Sequence, residues 1–252
     1  MSAAALLLMR LTGLFWIAPL FSARAIPGSI RTGVIVVFAI LLWPAAAGPA
    51  AASAEVNAST LLSEMGIGLV LGLGAAIFVG AAESAGDALA VQMGLSGANV
   101  VDPMSLTQLP VLGQLLGLFV TALILSCGGH LVMLGALYRS FELLPLGTPI
   151  ALESGTLAAV ALGGRLLGLG LCLAAPVVGA MMVGNVALGI LARTVPQLNV
   201  LMVAFPLQIA LGLVALAAAL PAMAAGFSGW PGEYSDLAAR LLRALTPAGS
   251  GP

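Results

Sequence analysis

Few residues of this sequence have the chemistry to act on a substrate. There is one histidine, His130, two cysteines, Cys127 and Cys172, and nine acidic side chains. A metal site needs several ligands, and His130 has no second histidine to join it. Both cysteines lie inside apolar runs without metal-ligand or disulfide spacing, and read as small buried hydrophobes. His130 follows Cys127-Gly128-Gly129 and is expected to be a hydrogen-bonded helix-packing residue; a proton relay with an acid such as Asp102 is the alternative. Glu83 and Asp87, four apart, share one helical face, with Gln92 further along. Like charges at that spacing repel mildly, so the face either meets water at a helix end or lines a polar passage. No nucleophile elbow, P-loop, HExxH pair or dinucleotide fingerprint is present, so no enzyme, no metal and no cofactor is expected.

The elements around these residues are written in the composition. Of 252 residues, 61% are hydrophobic and 7% charged, against about 25% charged in soluble domains. Mean hydropathy is +1.17. A water-facing surface cannot be built from this set, so lipid or the subunits of an apolar assembly must replace water. All eight basic residues are arginine and none cluster, which excludes a phosphate-neutralising nucleic-acid surface. The expected class is an all-α membrane protein with kinked or broken helices, organised as one integral membrane domain over 1–252.

Apolar helices are expected over about 3–21, 33–47, 64–82, 111–137, 157–183 and 200–225. The first is read as a retained helix and not a cleaved signal, because Arg10 interrupts it and no basic stretch precedes it. An amphipathic helix over 233–245 puts Leu237, Leu241, Leu242 and Leu245 on one side, Glu233 and Asp236 at its start, and Arg240 and Arg243 near its end. That order suits the helix dipole, and the helix is expected to lie on the membrane or on a partner. Residues 97–110 carry no helical period and contain Asp102-Pro103, which disfavours α conformation at Asp102. Irregular backbone of this kind is tolerated at membrane depth only inside protein or beside water.

Two arginines lie within apolar runs, Arg10 and Arg165. An unpaired charge at bilayer centre costs about 2.5–3.5 kcal/mol on insertion scales. Each should therefore pair with a carboxylate or cap backbone carbonyls. Three GxxxG elements, Gly68–Gly72, Gly113–Gly117 and Gly164–Gly168, are hints of close helix packing. The positive-inside rule gives no consistent orientation, because arginines fall in loops that simple alternation would put on opposite sides. Burial inside an assembly accounts for that failure.

Several ordered segments resemble the flagellar biosynthetic protein FliR family, whose relatives serve virulence-type secretion. They are Arg10-Leu-Thr-Gly13 through Ala18-Pro19-Leu20-Phe21 with Ile26-Pro27 and Arg31; Gly86-Asp87 with Gln92-Met93-Gly94; Val101-Asp102-Pro103; Gly129-His130-Leu131 before Ser140-Phe141 and Leu144-Pro145-Leu146-Gly147; and Pro196-Gln197-Leu198-Asn199 before Phe205-Pro206-Leu207 and Gly212-Leu213. Each motif is weak alone; their order over about 6–245 is specific.

The resemblance implies a non-enzymatic export-gate subunit of the flagellar type III apparatus, built like a fusion of FliP-like and FliQ-like units. It implies FliP, FliQ, FlhB and FlhA as partners, unfolded flagellar subunits as cargo, and a place in the bacterial inner membrane within the basal body. It also implies a channel plug in the loop bearing Asn99, Val100, Val101, Asp102, Pro103 and Met104, with a static connector as the alternative. Arg10, Asp87, Gly129, His130, Ser140, Phe141, Pro145, Gly147, Pro196, Gln197 and Asn199 are expected to serve assembly or structure. The rival function is a small-solute or ion secondary transporter acting alone at discontinuous helices.

Overall fold

The computed structural model describes residues 2–22, 26–46, 56–95, 111–150, 152–194 and 200–246. These form helices α1 (Ser2–Ile17), α2 (Gly28–Ala46), α3 (Ala58–Gln92), α4 (Val111–Ser126), α5 (Gly129–Leu143), α6 (Leu152–Thr194), α7 (Val200–Gly226) and α8 (Trp230–Leu245), with a 3₁₀ turn at Phe227–Gly229 before α8. There is no strand among the described residues. Four helices are long and apolar enough to cross a membrane, or five if the bent pair α4–α5 is one span. The chain is an all-α membrane protein.

Several helices outrun the hydropathy that announced them. The glycine-rich run at 64–82 is the middle of α3, which continues through Glu83 and Asp87 to Gln92, and the run at 157–183 is the middle of α6. Conversely, the run at 111–137 is two helices bent by 70°. The break falls at Gly128, whose backbone is left-handed (φ 73°, ψ 24°), a conformation that costs other residues roughly 1–2 kcal/mol. The amides of Leu131 and Val132 then donate to the Gly128 carbonyl and restart the helix as α5.

The chain forms two compact units. The first comprises 1–77, 124–164 and 229–252. Its core joins Leu6, Leu11 and Phe15 of α1, Ile67 and Leu71 of α3, Met133 and Leu137 of α5, and Trp230, Tyr234 and Leu241 of α8, all buried. Glycine sets how closely α1 and α3 approach. A Cβ at Gly68 would run into the Arg10 carbonyl, one at Gly13 into the Met65 carbonyl, and one at Gly72 would sit 2.9 Å from the Leu14 carbonyl oxygen. α2 packs against α1 and α5 but leaves Ile40 (69%) and Leu41 (65%) exposed. The amphipathic stripe of α8 is buried within its own chain, where Tyr234 also donates to the Leu71 carbonyl at 3.0 Å. Glu233, Asp236, Arg240 and Arg243 remain exposed on its other face.

The second unit comprises 78–123 and 165–228. Here α3 crosses α4 where a Cβ on Gly86 would lie 2.5 Å from the Leu112 carbonyl oxygen. α6 and α7 are tied by Gln208, which donates from Nε2 to Asn185 Oδ1 at 2.9 Å.

Candidate functional site

A polar cluster of described residues is built around Arg10 in the first unit. Its guanidinium is fully buried. Nε donates to Glu64 Oε2 at 2.6 Å, Nη1 to Ser140 Oγ at 3.0 Å, and Nη2 to the Leu144 carbonyl at 2.9 Å. The Phe141 ring lies beneath the guanidinium, 4.9 Å from Cζ to the ring centroid. Glu64, also fully buried, uses its other oxygen to accept the Gly147 amide at 2.8 Å. Ser140 Oγ donates its own hydrogen bond to the Leu137 carbonyl at 2.6 Å.

Each partner is delivered by a local rule. Ser140 and Phe141 sit in the last turn of α5. Leu144 follows the helix end, where the C-terminal carbonyls have no partner within the helix and accept from outside. Pro145-Leu146-Gly147 then turns the chain: the Thr148 amide and hydroxyl both donate to the Pro145 carbonyl, and Gly147 takes φ 86°. That turn aims the Gly147 amide at Glu64. The result is a charge pair with hydrogen bonds on both partners, the arrangement that offsets the desolvation of two buried ions.

Arg10, Ser140, Phe141 and Gly147, which the sequence singled out separately, thus meet at one place. Pro145 supplies only a turn carbonyl and is exposed. Glu64 was missed. The signal was present, because Glu64 is the only acid in α3 before Glu83 and Arg10 the only cation of α1.

The other singled-out residues lie elsewhere. Gly129 is buried where a Cβ would collide with the Ile124 side chain and lie 2.8 Å from the Trp230 ring. His130, next to it, is half-buried, and its Nδ1 makes no hydrogen bond among the described residues, unlike the bonded packing residue expected. Asp87 and Glu83 are exposed on α3, against α4 where Gly113 and Gly117 leave room for their carboxylates. Arg165 is exposed. Asn99, Val100, Val101, Asp102, Pro103 and Met104, and Pro196, Gln197 and Asn199, lie outside the described residues.

This geometry ties α1, α3 and the end of α5 together. No group of three metal-ligating side chains occurs among the described residues. A groove of 390 Å³ between α1 and α2 is lined by Leu7, Leu8, Val36, Ile40 and Trp43, with no charged side chain in its wall.

An all-α membrane fold held by a buried ionic clasp defines the class: a helical integral membrane protein. The chain belongs to the bacterial export proteins, family 1, whose family model matches residues 1–230. It is 32% identical over 219 residues to flagellar biosynthetic protein FliR of Escherichia coli K12, covering 86% of this chain and 84% of that protein. It is 32% identical over 217 residues to FliR of Bacillus subtilis 168, covering 84% and 83%. Yop proteins translocation protein T of Yersinia pestis is 30% identical over 218 residues, again 84% and 83%.

Proposed function

We propose that this chain is a structural, non-enzymatic subunit of the gate through which a bacterial flagellar type III apparatus exports unfolded protein. The observation that carries the reading is family membership along nearly the whole chain, with relatives named for flagellar biosynthesis and for Yop translocation. The chain is a component of a protein-export apparatus of the type III kind. The flagellar branch is the better reading because relatives named FliR recur in bacteria as different as Escherichia coli and Bacillus subtilis. A small-solute transporter acting alone draws no support from these relatives.

In this reading the subunit sits in the inner membrane within the basal body. It assembles with FliP-like and FliQ-like chains and works beside FlhA and FlhB. Apolar faces left open on α2 and α6 are surfaces that such neighbours would cover. The segment bearing Asn99 to Met104 acts as the plug of the resting channel, since a pore wide enough for unfolded protein must be blocked to hold back ions. Pro196, Gln197 and Asn199 serve assembly or structure.

Deleting the gene in its host tests the reading. Extracellular flagellar subunits should vanish from the medium and return on complementation, with the membrane potential unchanged. Continued export in the deletion strain contradicts it.

A further inference from the structure

Within the second unit, one long face of α6 is open. Arg165, Gly168, Cys172, Ala175 and Gly179 recur at three- and four-residue spacing, so they share a side of the helix, and all are exposed. Leu171 beside them is 71% exposed. The opposite side is committed to the chain's own core through Ala174, Val177 and Met181. A Cβ added at Gly168 or Gly179 would meet nothing within 4 Å.

The charge on this face decides what covers it. Arg165 lies inside Val160–Thr194, a stretch long and apolar enough to cross a membrane. It makes no hydrogen bond or ion pair with any described residue. Arg10, buried within the apolar α1, shows one way this fold satisfies such a group: carboxylate, hydroxyl and carbonyl all close on it. A guanidinium within an apolar span calls for partners of the same kind, and no described residue supplies them. Acyl chains fit any contour, whereas bare backbone at Gly168 and Gly179 lets a second helix come close.

We propose that the Arg165–Gly179 face of α6 docks a helix of an unlike subunit that brings an aspartate or glutamate to the Arg165 guanidinium. This rests on the export-apparatus reading, and the test separates the two.

The full chain is co-expressed with the FliP-like and FliQ-like chains of its host and weighed by native mass spectrometry. If the wild-type chain enters no mixed complex, the export reading itself fails. If it does, Arg165→Glu should cut its share of that complex about tenfold or more while its amount in the membrane stays constant. Replacing one intramembrane carboxylate of a partner by arginine should restore the share. As a second measurement that keeps Arg165 intact, benzoylphenylalanine in place of Leu171 should photo-crosslink to an unlike subunit. Wild-type incorporation of Arg165→Glu overturns the proposal. So does a crosslink to lipid or to a second copy of this chain in a sample where the mixed complex is present.

Discussion

At the scale of the residue, the organising fact is that Arg10 carries its charge into the core of its own chain with every partner local to the fold. Removing Glu64 strands a buried cation. Glu64→Ala should destabilise the first unit by about 3–5 kcal/mol, read as a lower thermal unfolding midpoint in detergent. Arg10→Met with Glu64→Met should do less harm than either single change, because no lone ion remains. It should not be harmless: the Gly147 amide and the Leu144 carbonyl lose their partners, at about 1 kcal/mol or more each. Strict additivity of the two single effects would contradict the clasp.

The need for a partner at Arg10 was legible in the sequence, since a cation in an apolar run admits few solutions. Its identity was not. Glu64, Ser140 and Leu144 converge only through tertiary contact between α1, α3 and the end of α5. For Arg165 the same reasoning led to the same expectation, yet no described residue answers it. The difference lies in what packs on each helix, which no local pattern contains.

At the scale of the element, three GxxxG spacings have three fates. Gly68 and Gly72 lie in a backbone-close crossing with α1, Gly113 and Gly117 leave space for carboxylates, and Gly164 and Gly168 face open space. Spacing gave the candidates, and only the neighbours distinguish them. Helix ends were obscured because the hydropathy window stops at charge, whereas α3 continues through Glu83 and Asp87. The 70° bend between α4 and α5 was hidden because Cys127-Gly128-Gly129 is apolar enough to extend a run that its left-handed glycine interrupts.

These contacts order a substitution series. Gly68→Ala should be the most damaging, because the added carbon meets the Arg10 backbone and must push α1 off α3. Gly128→Ala should cost roughly 1–2 kcal/mol from its left-handed backbone, although a Cβ there has room. Gly135→Ala, mid-helix in α5 with open space around it, should be neutral or raise stability by up to about 1 kcal/mol. Tyr234→Phe should cost about 1 kcal/mol by leaving the Leu71 carbonyl without its hydroxyl partner. Thermal midpoints of the four purified variants give the order directly, and a Gly135→Ala variant as damaged as Gly68→Ala would break it.

At the scale of the whole molecule, the chain buries its charged clasp and its amphipathic α8 but leaves large apolar side chains of α2 and α6 uncovered. The C-terminal helix does not lie on a membrane or a partner as expected: its apolar stripe is buried against α3 and α5 of its own chain. Composition foretold the class, and the order of short motifs foretold the family. If residues 99–104 are the channel plug, deleting them in the assembled gate should raise resting ion conductance without lowering the amount of complex. Unchanged conductance in an assembled mutant would make that segment a connector.

The account rests on the idea that this subunit is completed by unlike neighbours around a shared passage. Native mass spectrometry after mild detergent extraction from its host tests it most directly. A complex containing this chain together with FliP-like and FliQ-like chains is the predicted result. A lone monomer or homodimer that moves a small solute in reconstituted vesicles would contradict it.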